Sequence, residues 1–209
     1  MLKIPSLKQA QEYIQDYKEK SLNELGVDPY KWECYEAHLN GVAEAAQKIA
    51  SYTEDLHPEI AYIMGYLHDW CKFNETIEKS FHGVLAYKDM MKKGFDDMAN
   101  ICLTHNFSLK DFDKEECIRV LHFGNVDEYN FVDEFLQARD YTDYDLLIQL
   151  CDYLADNRGF VTIDKRVDCI VSRYGVGKNI KRVKKQLFDL KQYFEMETGQ
   201  DVYELLSIE

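Results

Sequence analysis

The sequence is short of the residues that make turns. Three prolines and ten glycines are spread over 209 residues. That is too few for a sandwich or barrel built of many short strands. Strand-type alternation of apolar and polar residues is nearly absent as well. There are six cysteines, Cys34, Cys71, Cys102, Cys117, Cys151 and Cys169, but no Cys-x-x-Cys pair. This excludes a zinc ribbon and a thioredoxin-type redox motif. No run of about 18 apolar residues is present, so no membrane-spanning helix is expected. The stretch Met1 to Lys8 lacks the apolar core of a signal peptide. A cytoplasmic location with reduced thiols is the expectation. Positive charge is scarce too: 25 Lys and Arg against 38 Asp and Glu leave a net charge of −13. That sign weighs against non-specific binding to nucleic acid or to an anionic membrane. It leaves room for an anionic small molecule if a metal supplies a local positive field.

Helical periodicity is what the sequence has instead. A polar amphipathic helix is expected over 6 to 24, starting at Ser6 and ended by Gly26 to Pro29. The next runs from about Tyr30 to Tyr52, with Leu39, Val42, Ala46, Ile49 and Ala50 on one face. Pro58 suits the first turn of a third helix, which carries Ile60, Ile63, Met64, Leu67 and Cys71 on one face. Shorter helices are expected over 82 to 93 and 96 to 105. The stretch 106 to 142 is weakly periodic. Residues 144 to 157 read as helical, and helices follow near 164 to 173, 180 to 195 and 200 to 207. The fold class expected is all-α, in a single domain spanning 1 to 209.

Four of the six histidines share a property. His38 lies in line with Val42, Ala45 and Ile49, and His68 with Met64 and Cys71. His82 lies in line with Leu85 and Ala86, and His105 with Met98, Ile101 and Cys102. Each faces inward on its helix. Asp69 and Asp152 sit inside apolar turns. One inward histidine is ordinarily a hydrogen-bonded core residue, and one helical aspartate a surface residue. Four histidines and two carboxylates facing inward are hard to satisfy one by one. A shared metal centre satisfies them together. Imidazole with carboxylate suits iron, manganese, zinc or cobalt. Six ligands exceed what one tetrahedral ion needs, which points to two ions.

The run Gly65-Tyr66-Leu67-His68-Asp69-Trp70-Cys71-Lys72 resembles the His-Asp signature of the HD-domain phosphohydrolase superfamily. Ala37-His38-Leu39-Asn40 is similar to that family's first metal motif. Leu150-Cys151-Asp152-Tyr153-Leu154 is similar to its closing aspartate motif. His82 and His105 fall where binuclear members carry two extra histidines. The resemblance covers about residues 30 to 160 and implies an HD helical bundle, with an N-terminal helix over 6–24 and C-terminal helices over 161–209 as additions. It also implies a metal-dependent phosphohydrolase acting on a nucleotide. One metal would be held by His38, His68, Asp69 and Asp152, and a second by His82, His105 and the bridging Asp69. Iron is the foremost candidate, with manganese, zinc, cobalt or magnesium as alternatives. Among the branches, the sequence is most similar to the bacterial hydrolases that split diadenosine tetraphosphate symmetrically. That branch carries an arginine six residues after the last aspartate, and Arg158 stands at that position here.

Asp69 and Lys72 are the expected catalytic residues. Lys72, Arg158 and His105 are the expected substrate contacts. Lys72 lies four residues after His68 and is read as one turn along the same helix. A salt bridge to Asp156 or Glu33 is the alternative for Arg158. The alternatives for function are a mononucleotide phosphatase, a cyclic-nucleotide phosphodiesterase, a non-catalytic nucleotide-sensing module and an interaction protein. The partner expected is a phosphorylated small molecule, with no nucleic acid and no membrane; a homodimer stays open. His57 is read as exposed, and His122 lies outside the motifs. Phe107, Phe112, Phe123, Tyr129, Phe131 and Phe135 are read as core. The basic run Lys178, Lys181, Arg182, Lys184 and Lys185 is read as a solvated face above Ile180, Val183 and Leu187.

Overall fold

Helix α1 (Leu7–Asn23) begins where a capping box is written. The Ser6 hydroxyl accepts from the Gln9 amide at 3.3 Å, and the Gln9 side chain accepts from the Ser6 amide at 2.9 Å. The computed structural model describes residues 2–113, 115 and 123–208. Cys117 and His122 lie outside the described residues. Helix α2 (Pro29–Ala50) has proline in its first turn, and the Asp28 carboxylate accepts from the Tyr30 and Lys31 amides. Helix α3 (Pro58–Leu67) likewise starts at proline. A 3-10 turn (Lys72–Asn74) and a one-turn α4 (Glu75–Glu78) lead to α5 (His82–Lys92) and α6 (Asp96–Thr104). Then come α7 (Val126–Gln137) and α8 (Asp143–Asp152), the latter opened by a Thr142–Asp145 capping box. Strands β1 (Ala155–Asp156) and β2 (Gly159–Phe160) form a small antiparallel hairpin, pairing Ala155 with Phe160 and Asp156 with Gly159. Helices α9 (Ile163–Tyr174), α10 (Ile180–Thr198) and α11 (Val202–Leu206) complete the fold. The architecture is all-α, as expected from the periodicity. Among the described residues, no helix is long and apolar enough to cross a membrane.

The main core gathers the apolar faces of α1, α2, α3 and α8, with Ile14, Leu39, Ile49, Leu67, Leu147 and Leu150 buried in it. Helices α2 and α3 pack unusually closely, and Gly65 permits it. A Cβ added at Gly65 would sit 2.8 Å from the Ala43 Cα. A second, aromatic cluster forms around Phe81, Phe107 and Phe123. Phe81 stacks on Phe123 with ring centroids 4.9 Å apart. The aromatic residues of 106 to 142 pack in or against this cluster, as the core reading expects.

Three boundaries differ from the sequence reading. Helix α3 ends at Leu67 and does not continue to Cys71. Cys71 adopts a left-handed conformation (φ 66°), which breaks the helix and redirects the chain. Lys72 therefore opens a new turn and does not lie on the helix that carries His68. Residues 144 to 157 are helical only to Asp152, after which the chain turns into the hairpin. The weakly periodic stretch 106 to 142 contains a full helix, α7, capped by Asn125.

Candidate metal centre

Four helix ends or faces deliver four imidazoles to one place. His38 projects from the middle of α2, His68 caps the C-terminus of α3, His82 opens α5, and His105 caps the C-terminus of α6. All four are buried. The rings of His38 and His68 lie 5.2 Å apart, those of His68 and His105 4.9 Å, and those of His82 and His105 5.5 Å. The inward direction read from helical spacing therefore holds for each. His57 is exposed at the start of α3, as expected.

The two aspartates meet these rings. Asp152, the last residue of α8, brings Oδ1 to 3.1 Å from His38 Nε2 and 3.9 Å from His68 Nε2. Asp69 Oδ1 lies 2.9 Å from His82 Nε2 and 3.3 Å from His105 Nε2. Among the described residues there are two sets whose ligand-type atoms lie within 4.8 Å of one another inside each set: His38, His68 and Asp152, and His68, Asp69 and His105. His68 belongs to both. His82 belongs to neither set, although its Nε2 reaches Asp69.

His68 is the test of whether a cation fits. Its Nδ1–H donates to the Gly65 carbonyl at 2.6 Å, which leaves Nε2 with a lone pair. That Nε2 is buried and has no hydrogen-bond partner. Burial pushes the His68 pKa down to about 3, so the ring is neutral. A neutral imidazole thus turns a buried acceptor toward Asp152 Oδ1, which is itself an acceptor. An orphaned acceptor of this kind is costly, and a divalent cation resolves it. The donor set of imidazole nitrogen and carboxylate oxygen suits such an ion.

Each aspartate is kept ionised against its burial. For Asp152, burial favours the neutral acid, but the His38 hydrogen bond and the Arg166 charge hold its pKa well below the usual carboxylate range. Arg166, on α9, reaches Asp152 Oδ1 at 3.3 Å and the Asp152 carbonyl at 3.2 Å. For Asp69, Lys72 and His82 overcome the same burial cost and hold the pKa well below its ordinary value.

His82 is oriented from behind. Its Nδ1 donates to Glu75 Oε1. Lys72 Nζ lies 3.2 Å from the same Nδ1, but a nitrogen that already donates to a carboxylate offers the ammonium nothing to donate to. The partner of Lys72 is instead Glu75 Oε1 at 3.8 Å. Burial and the Lys72 charge push the His82 pKa down, yet Asp69 and Glu75 together raise it above its ordinary value. Burial likewise opposes the charge on Lys72, but Asp69 and Glu75 keep the ammonium charged, with its pKa raised. Asn106 Nδ2 donates to His105 Nε2 and lies 3.3 Å from His82 Nε2.

These groups open onto a cleft of about 400 Å³ lined by His38, Asp69, Lys72, Asn106, Asp152 and Arg166, among others. Arg158 is not among its lining residues. It points to solvent and pairs with Asp156 at 2.8 Å, the salt-bridge alternative of the sequence reading. Sequence reasoning missed Glu75, Asn106 and Arg166. Asn106 adjoins His105 and could have been suspected from adjacency alone. Glu75 and Arg166 carry no motif, and only the fold brings them in. The basic run behaves as a solvated face: Lys178 pairs with Asp113, Arg182 with Asp111, and Lys185 with Asp189.

Comparison with curated proteins gives no match, and comparison with solved structures gives none either. The family model described as HD domain matches residues 35–157. The matched span covers more than half of the chain and contains all four buried histidines, Asp69 and Asp152. The chain therefore belongs to the HD domain family, and so to a superfamily of metal-dependent phosphohydrolases.

Proposed function

We propose that this protein hydrolyses a phosphate ester or anhydride of a nucleotide at a centre of two divalent cations. The observation that carries this reading is the buried, partnerless Nε2 of His68, shared by the two sets of ligand atoms. In this reading His38, His68 and Asp152 would hold one ion and His105 and Asp69 the other, with His82, whose Nε2 reaches Asp69, as a further ligand of the second. Divalent cations bound there would polarise a phosphoryl oxygen and lower the pKa of a coordinated water.

The remaining chemistry belongs to the chain. Asp69 and Asp152 stay ionised and gather positive charge beneath the substrate. Lys72 stays charged at the cleft wall and is the candidate group to neutralise charge developing on phosphoryl oxygens. Glu75 fixes the His82 ring, and Gly65 and Ile101 fix the tautomers of His68 and His105 through their carbonyls. Arg166 steadies Asp152 from outside the cluster. Burial of the four histidines keeps bulk water from competing for their contacts.

The test is turnover of a nucleotide panel, beginning with a dinucleoside polyphosphate, by wild type and by Asp69→Ala. Hydrolysis that needs a divalent cation, with turnover and metal lost together in the variant, is the expected result. Undiminished hydrolysis by Asp69→Ala overturns the reading.

A further inference from the structure

The cleft carries charge opposite to that of the molecule around it. The chain has a net charge of −13, yet four cations line the cleft, Lys31, Lys72, Arg166 and Arg173, against two carboxylates, Asp69 and Asp152. Lys72 and Arg166 are tied to the metal-centre carboxylates or their neighbours. Lys31 and Arg173 are different. Among the described residues no carboxylate pairs with either of them. Elsewhere Lys184 pairs with Asp164 and Lys191 with Glu195. Both are exposed to solvent, and two cations without a carboxylate partner on the rim of one cleft make that cleft complementary to an anion.

Their register is regular. Lys31 precedes His38 by seven residues on α2, and Arg173 follows Arg166 by seven on α9. Seven residues are two helical turns, about 10 Å along one face. Each cation thus stands on the same side of its helix as a group of the centre, two turns along it. Both face the same cleft from different elements.

We propose that Lys31 and Arg173 bind the distal phosphates of a substrate that carries a chain of at least two phosphates. This rests on the phosphohydrolase reading for the bond that breaks, and it adds which substrates are preferred. The unreacted end of the phosphate chain lies between α2 and α9. The end to be cleaved lies over the histidine cluster. A lone monophosphate fills only the inner half.

Equilibrium binding of inorganic tripolyphosphate and inorganic monophosphate to the full chain tests this by calorimetry at low and high salt. Tripolyphosphate is expected to bind at least about tenfold more tightly. Lys31→Gln and Arg173→Gln are each expected to weaken tripolyphosphate about fivefold, to leave monophosphate unchanged, and to flatten the salt dependence. Equal affinities for the two anions, or variants that weaken both alike, overturn the proposal. Hydrolysis is read separately. Tripolyphosphate bound as described without turnover of any nucleotide would leave the cationic wall standing and remove the hydrolase reading. Turnover without the binding preference would do the reverse. Among turned-over substrates, a higher KM with unchanged kcat in Arg173→Gln, for diadenosine tetraphosphate but not for a nucleoside monophosphate, is the matching kinetic result.

Discussion

Glu75 holds His82 through the ring nitrogen that faces away from the centre, and the other nitrogen of the same ring stands 2.9 Å from Asp69 Oδ1. The imidazole is clamped between two carboxylates. Outer partners of this kind set ring direction and basicity, and their loss typically weakens metal binding by about 10- to 100-fold. Glu75→Gln is expected to weaken the second ion to about that extent and to spare the first. Stepwise metal titration of the chelated protein reads both affinities. Equal weakening at both positions would count against the assignment of His82.

The same clamp has a pH signature. Asp69 and Glu75 raise the folded pKa of His82 above its unfolded value of about 6.5. In chelated protein the stability gained from charged His82 is fully present below that value. It is lost as pH rises through the raised folded pKa. Urea midpoints of chelated wild type and Glu75→Gln should therefore differ more at pH 6 than at pH 8.5. A metal ion needs Nε2 without its proton, so metal loading near neutral pH should release protons, and affinity should rise over the same interval. A constant gap between the two proteins across the range would contradict this.

Gly65 sets the distance between α2 and α3, and thus between His38 and His68. Gly65→Ala places a Cβ 2.8 Å from backbone in α2. Backbone cannot rotate away as a side chain can. The expected cost is about 1–3 kcal/mol, read by denaturant unfolding, with a metal content that falls as well. Full stability with full metal content would show that the close approach is dispensable.

Phe81 precedes His82 and is fully buried against Phe123 and Phe107. Phe81→Ala is expected to destabilise by about 3–5 kcal/mol. Because the ring also lies edge-on to His82 at 4.7 Å, the variant should lose metal affinity beyond what its lowered stability explains. Metal titration at a temperature where the variant is fully folded separates the two effects.

Much of the centre was readable because helical spacing is local. His38, His82 and His105 reveal their direction through apolar neighbours three and four residues away, and the fold needs nothing else to turn them inward. The HD resemblance added the order of the motifs. What spacing could not give was the break at Cys71. A left-handed residue that is neither glycine nor asparagine leaves no local signal, so spacing alone places Lys72 one turn along a helix that has already ended. Arg158 illustrates the opposite error. Its position after Asp152 suggested the cleft, but the hairpin turns it to solvent and onto Asp156, while Arg166, fourteen residues after Asp152, reaches that aspartate instead. Glu75, on α4, contacts His82, seven residues on at the start of α5, and no continuous helix links the two. The helix α7 was hidden because its aromatic residues pack against α5, and that face becomes visible only when the second core is assembled.

The most direct measurement is metal content per chain, on protein purified without chelator and without an affinity tag, for wild type and His68→Ala, each checked for helical content. With His68 holding the first of two ions, the account predicts two equivalents in the wild type and loss of at least one in the variant. No bound metal in a folded wild type, or a single equivalent that survives His68→Ala, would contradict the account.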